Sequence, residues 1–190
     1  MKTEMVSNAA MADEERIILK AVEGDQQAFS AIFDLYYKPI NRYFFFHGTD
    51  EKEAEDLTDA VFFKAWKSMQ CFNVHKGTFK AWIYRIAHNT LIDHYRQQKD
   101  TVSIDAVYGI ADTTSHAEER VIKDEEVQLL RHALDRLDER SRLVIVYRFI
   151  VGLDHRQTAR LIGVSEGNVR IIQMRALKKM KGFFSEENDG

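Results

Sequence analysis

One proline, Pro39, stands in a chain of 190 residues. Proline is the strongest breaker of helices, since it removes a backbone donor and clashes with the preceding turn. A chain this poor in breakers, with only nine glycines, reads as mostly helical. Length sets a prior of one or two domains. Apolar residues make up 45% and charged residues 30%, a balance that can build a core rather than stay disordered. The lone Cys71 excludes a disulfide scaffold and a cysteine-based zinc site, and suits a reducing compartment. No apolar run reaches the roughly 18–20 residues of a membrane span. The first dozen residues carry no signal-peptide apolar stretch.

The net charge of -3 first reads as evidence against a nucleic-acid partner. Its distribution reverses that reading. Residues 64–99 hold seven Lys/Arg against one acidic residue, and residues 141–184 hold nine against two. These blocks of +6 and +7 alternate with acidic stretches, -5 over 24–63 and -6 over 100–140. Such asymmetry points to charged partners, with solvated helix faces as the plain alternative.

Helical periodicity marks the elements. A short helix over 13–23 starts at Asp13 and ends at Gly24. Asp25 caps a second helix carrying Phe29, Ile32, Phe33 and Tyr36, in which Pro39 should kink or restart the chain. The run Tyr43 to Phe46 is too aromatic for water and belongs in a core. Asp50 and Glu53 form a capping-box start for a helix over 51–69. Ala54, Leu57, Val61 and Ala65 share one stripe of it, and Asp56, Asp59 and Phe63 the opposite one. Phe63 there is either a partner contact or a residue covered by a neighbouring helix. After a loop over 70–78, Thr78 caps a helix with Phe79, Trp82, Ile83, Ile86 and Thr90 on one face. Arg85, Asn89, Ile92 and Arg96 line another face, a row suited to phosphates and base edges or simply to solvent.

Residues 99–117 lack apolar periodicity and read as a linker, long for the inside of one domain. Beyond it, Val127, Leu130, Leu134 and Leu137 make an amphipathic helix, and Leu143 to Val151 another, ended by Gly152. Asp154 caps a short helix, Gly163-Val164 turns, and Ser165 caps a last helix through Val169, Ile172, Ala176 and Met180. Two helices joined by a glycine turn, the second rich in Arg and Lys, have the layout of a helix-turn-helix.

Two stretches carry a family resemblance. Phe79-Lys80-Ala81-Trp82-Ile83-Tyr84-Arg85-Ile86-Ala87-His88-Asn89, followed by Asp93 and Arg96, resembles region 2 of bacterial sigma factors, in the form of the extracytoplasmic-function (ECF) group. Ala54 to Trp66 looks like the segment of that region that grips the polymerase clamp. Leu137 to Leu153 and Arg175-Ala176 are similar to region 4. The resemblance implies an all-α protein of two small helical domains. Region 2 would occupy 12–98, a flexible linker 99–117, and a region 4 helix-turn-helix 118–182.

It also implies a function: binding core RNA polymerase and directing promoter-specific initiation by reading -10 and -35 elements. Carried over by position, Phe72, Lys80, Arg85, Asn89 and Arg96 would serve the -10 element, with Asn89 and Phe72 near an extruded base. Ser165, Asn168, Arg170, Ile171 and Arg175 would serve the -35 element. Asp56, Asp59 and Phe63 would face core polymerase. The linker would thread toward the polymerase cleft, its acidic side chains imitating nucleic acid. An anti-sigma protein is an expected further partner, with Phe63 and Ile171 as its apolar contacts. No cofactor, metal or membrane insertion is implied, and the location is cytoplasmic.

The chain departs from the family pattern at Asp59-Ala60, where Gln then Glu is usual, and at His155 to Ala159. Ile171 and Ile172 stand where small polar and basic residues are common, so one should pack inward while the other meets thymine methyls or a protein. The loop over 70–78 is one residue longer than the pattern, which loosens the placement of Phe72. No catalytic constellation is evident: no glycine-rich phosphate loop, no His-Glu-x-x-His, and His88 and His94 six apart, a poor spacing for one metal. An enzyme is therefore not expected. The competing reading is a helix-turn-helix regulator that binds duplex DNA alone.

Overall fold

The computed structural model describes residues 2–105 and 125–188, all of whose regular elements are helical. The first lobe contains α1 (Lys2–Val22), α2 (Gln26–Phe45), α3 (Glu51–Ser68) and α4 (Phe79–Asp105). Two short 3-10 turns, Met69–Cys71 and Val74–Lys76, lie between α3 and α4. The second lobe contains α5 (Glu125–Asp135), α6 (Glu139–Ile145), α7 (His155–Ile162) and α8 (Glu166–Asn188). A π-helical segment, Val146–Val151, prolongs α6.

Local chemistry sets most of these boundaries. The Asp25 carboxylate accepts from the amides of Gln27 and Ala28. Asp50 and Glu53 form the reciprocal capping box, as do Asp154 and Gln157. Thr78 receives the Ala81 amide and Ser165 the Asn168 amide, both at 3.2 Å. Gly152 and Gly163 end their helices in the left-handed conformation, at φ 77° and 69°, which costs glycine no side-chain clash.

Three expectations are corrected. The first helix does not start at Asp13 but runs from Lys2, so Asp13 lies inside it and pairs with Arg16 at 3.1 Å. Pro39 does not restart the chain, since α2 continues through it to Phe45. The residue four before it, Leu35, is exposed, so a carbonyl left without its helical donor there has solvent nearby. α4 continues to Asp105, into the span expected as linker. The rest of that span, 106–117, lies outside the described residues.

The lobes do not have separate cores. Ile32, Tyr43, Phe44, Phe46, Val61 and Ile83 belong to the same buried cluster as Leu134, Val146, Tyr147 and Leu153. The junction is built by the end of α2 and the turn after it. Tyr43 stacks on Tyr147 with ring centroids 5.6 Å apart, and their hydroxyls share a buried hydrogen bond of 2.9 Å. The Arg131 guanidinium lies 4.2 Å from the centre of the Phe45 ring and donates to the Thr49 carbonyl at 3.2 Å. At the other end, the Gln157 amide donates to the Thr78 hydroxyl at 3.1 Å.

Buried histidines border this junction. His47 packs against Tyr43, and burial, helped by the nearby Arg142 guanidinium, lowers its pKa to about 3. His88 faces the Tyr147 ring and is also lowered, chiefly by burial. The Nε2 of His47, Nδ1 of His88 and Oγ1 of Thr49 are buried without a hydrogen-bond partner.

Candidate nucleic-acid and polymerase interfaces

Three surfaces gather the residues singled out by sequence. On α3, Asp56 and Asp59 are exposed and Phe63 is 59% exposed, opposite buried Ala54, Leu57, Val61 and Ala65. Among the described residues no neighbouring helix covers Phe63. Instead Lys67 sets its ammonium 4.1 Å from the ring centre, a cation–π contact that partly screens the ring from water. Trp66 is also exposed, with its edge on Phe29 at 4.8 Å. Exposed Phe63 and Trp66 beside two carboxylates make an amphipathic surface, and Trp66, the last residue of the segment singled out by sequence, had been given no role of its own there.

On α4, Lys80, Arg85, Asn89 and Arg96 are all exposed, while Ile83, Ala87 and Leu91 are buried. One register of the helix therefore presents Arg85, Asn89 and Arg96 together. Lys64 fixes α3 against this helix by donating to Thr90 Oγ1 at 3.0 Å, with Asp93 at 3.7 Å. Phe72 is placed differently from its expected role. It is buried, edge-on to Phe79 at 5.5 Å and tilted against Trp82 at 5.3 Å. As placed, its ring braces Trp82 and is not presented to a base. Phe72 closes the 3-10 turn Met69–Cys71, its amide donating to the Met69 carbonyl.

A cleft of about 510 Å3 lies between this loop, the start of α4 and α7. Lys76, Arg85, Arg156 and Arg160 line it together with Trp82. None of these four cations has an ion-pair partner among the described residues. Asp154 is the one carboxylate in the lining, and four cations against one carboxylate around a concave surface favour an anion. Arg156 and Arg160 were given no role by sequence reasoning, which assigned the contacts of the helix-turn-helix to its second helix. Their four-residue spacing on the first helix was the available signal.

On α8, Ser165 caps, and Asn168, Ile171 and Arg175 are exposed in one row. Arg170 is exposed but bound to Glu166 at 2.6 Å. Ile172 turns inward, onto Val144, Ala159 and Val169. Among the described residues no group of His, Cys, Asp and Glu could hold a metal, and no helix is long and apolar enough to cross a membrane.

Comparison with known proteins decides the family. The family model for sigma-70 region 2 matches residues 32–101, and that for sigma-70 region 4 matches residues 133–182. The chain belongs to the sigma-70 family. Within it, this sigma factor is similar to the ECF group. It is 27% identical over 177 residues to the ECF RNA polymerase sigma factor BldN of Streptomyces coelicolor, covering 90% of this chain and 67% of that one. It is 27% identical over 163 residues to the ECF RNA polymerase sigma factor SigX of Bacillus subtilis, covering 82% and 83%. Its fold is similar to that of CnrH, solved in complex with the cytosolic domain of CnrY. That match has a TM-score of 0.70, with 24% identity, covering 91% of this chain and 97% of that one. Thus the all-α, two-region reading holds, and the sigma factor's α4 and α8 carry the regions that the sequence pointed to.

Proposed function

We propose that this chain directs promoter-specific transcription initiation as a non-enzymatic subunit of bacterial RNA polymerase. The observation that carries this is the presence of both sigma-70 regions in order, each with an exposed row of polar and cationic side chains. In this reading, region 2 occupies 12–98 and region 4 occupies 118–182, on either side of the linker. Asp56, Asp59 and Phe63, with Trp66 beside them, contact core polymerase. Arg85, Arg96 and Lys80 neutralise backbone phosphates, and Asn89 reads a -10 base edge. Phe72 acts through Trp82, whose partly exposed ring supplies an apolar wall for an unstacked base. Ser165, Asn168, Arg170, Ile171 and Arg175 enter the major groove at the -35 element.

An anti-sigma protein fits the exposed apolar positions Phe63 and Ile171, and CnrH was solved in complex with another protein, the cytosolic domain of CnrY. Working with core polymerase places the chain in the cytoplasm. The test is transcription by purified core polymerase with and without this protein. Initiation at promoters of its own genome is expected only when it is added. No added initiation at any of them would overturn the reading. Tight, specific duplex binding by the protein alone would instead favour a free-standing regulator.

A further inference from the structure

The α8 helix carries three exposed apolar side chains, Ile171, Met174 and Leu177, the last 41% exposed and about 60° further round the axis from Met174. Met174 is 64% exposed and Ile171 is 45% exposed. Both lie away from the buried face formed by Val169, Ala176 and Met180. At 100° per residue they are about 60° apart around the axis, and each has a cation one turn on, Arg175 after Ile171 and Lys178 after Met174. Neither Arg175 nor Lys178 has an ion-pair partner among the described residues.

We propose that Ile171 and Met174 select thymine at neighbouring positions of the -35 element, by contact with the thymine C5 methyl groups. The inference rests on the assignment of α8 to the major groove. The thymine methyl is the apolar feature among the base edges displayed there. An aliphatic side chain gains by covering it. Against guanine or cytosine, the same side chain strips water from donors and acceptors and returns no hydrogen bond. Three residues of helix advance about 4.5 Å, close to the rise of about 3.4 Å per base pair, so the two side chains reach adjacent steps. The flanking cations hold the helix to phosphates, which position it without reading sequence. Ile172, the inward member of the pair, already satisfies the core, which leaves Ile171 free to face a partner.

The test uses holoenzyme assembled from core polymerase and the full chain. Promoters are first selected from a library randomised across the -35 element. Thymine enrichment at two neighbouring positions is expected. Those thymines are then replaced by deoxyuridine, which differs only in lacking the methyl group. Holoenzyme binding should weaken about fourfold per methyl removed. Ile171→Ser combined with Met174→Ser should lose both the enrichment and the response to deoxyuridine, while Met174→Leu keeps both. Circular dichroism and a melting curve confirm that each variant is folded. Equal binding to thymine and deoxyuridine by the unmodified protein, or selection without thymine, overturns the inference and leaves the sigma reading standing. Initiation with no -35 preference at all overturns region 4 reading and this inference together. Variants that keep methyl discrimination but lose a co-purifying inhibitor protein assign the strip to that protein instead.

Discussion

Tyr43 in the first lobe and Tyr147 in the second place their hydroxyls 2.9 Å apart in a site fully closed to solvent. Burial pushes both phenols up, so the pair stays neutral. Each hydroxyl is the other's partner, which makes their energetics reciprocal. Tyr147→Phe strands the Tyr43 hydroxyl and should cost about 1–3 kcal/mol. Adding Tyr43→Phe should recover part of that loss, because no polar group is then left unpaired. Urea unfolding of both single variants and the double variant measures this as a coupling energy.

Stability should fall in acid through His47. Its folded pKa of about 3 lies below the ordinary value of 6.5, so the unfolded chain binds the proton more readily. The folded state is therefore most favoured above about pH 6.5, and loses up to about 1.4 kcal/mol per pH unit below it, down toward pH 3. His88 acts in the same direction. Urea midpoints between pH 7.5 and 5 should fall more steeply for the unmodified protein than for His47→Asn, which cannot take up the proton. Parallel slopes would show that other groups dominate.

Asn89→Ala should impair promoter opening more than core binding. A hydrogen-bonding reader of one base is worth about 1–3 kcal/mol. Permanganate reactivity of promoter thymines reports opening, and fluorescence anisotropy with core polymerase reports assembly. An equal loss in both would move Asn89 to the polymerase face.

Phe63→Ala should do the reverse. The ring is largely exposed, so folding stability should change by less than about 0.5 kcal/mol. Core affinity should drop by more than about 1 kcal/mol if the ring anchors the interface. Thermal unfolding and titration with core polymerase separate the two.

Arg156→Ala and Arg160→Ala test the cationic cleft. Loss of a phosphate contact should weaken promoter binding by holoenzyme across sequences, and reduce the slope of log affinity against log salt by about 0.9 each. An unchanged salt slope would take these arginines out of the DNA path.

Much of this architecture was legible because it is local. Asp25, Asp50, Thr78, Asp154 and Ser165 cap helices through side chains that reach only two or three residues ahead. The two faces of α3 followed from its 100° period. The restart expected as one option at Pro39 did not occur, because helix breaking is a cost that packing can override. Phe72 misled because an aromatic in a loop reads the same whether it faces a base or a core. The junction was hidden for another reason: Tyr43 and Tyr147 are 104 residues apart, and no period or spacing connects them. Met174 escaped notice because apolar residues on a helix are usually taken for core until their exposure is known.

The shared core also sets a length. Elements named for positions -10 and -35 are about 85 Å apart along straight DNA, at about 3.4 Å per base pair. The described residues, packed as one body, have a radius of gyration of about 15 Å, and so span about 40 Å. On the proposed promoter reading, a chain with Tyr43 held against Tyr147 is too short a ruler to touch both marks at once, and the pair is expected to part on the DNA.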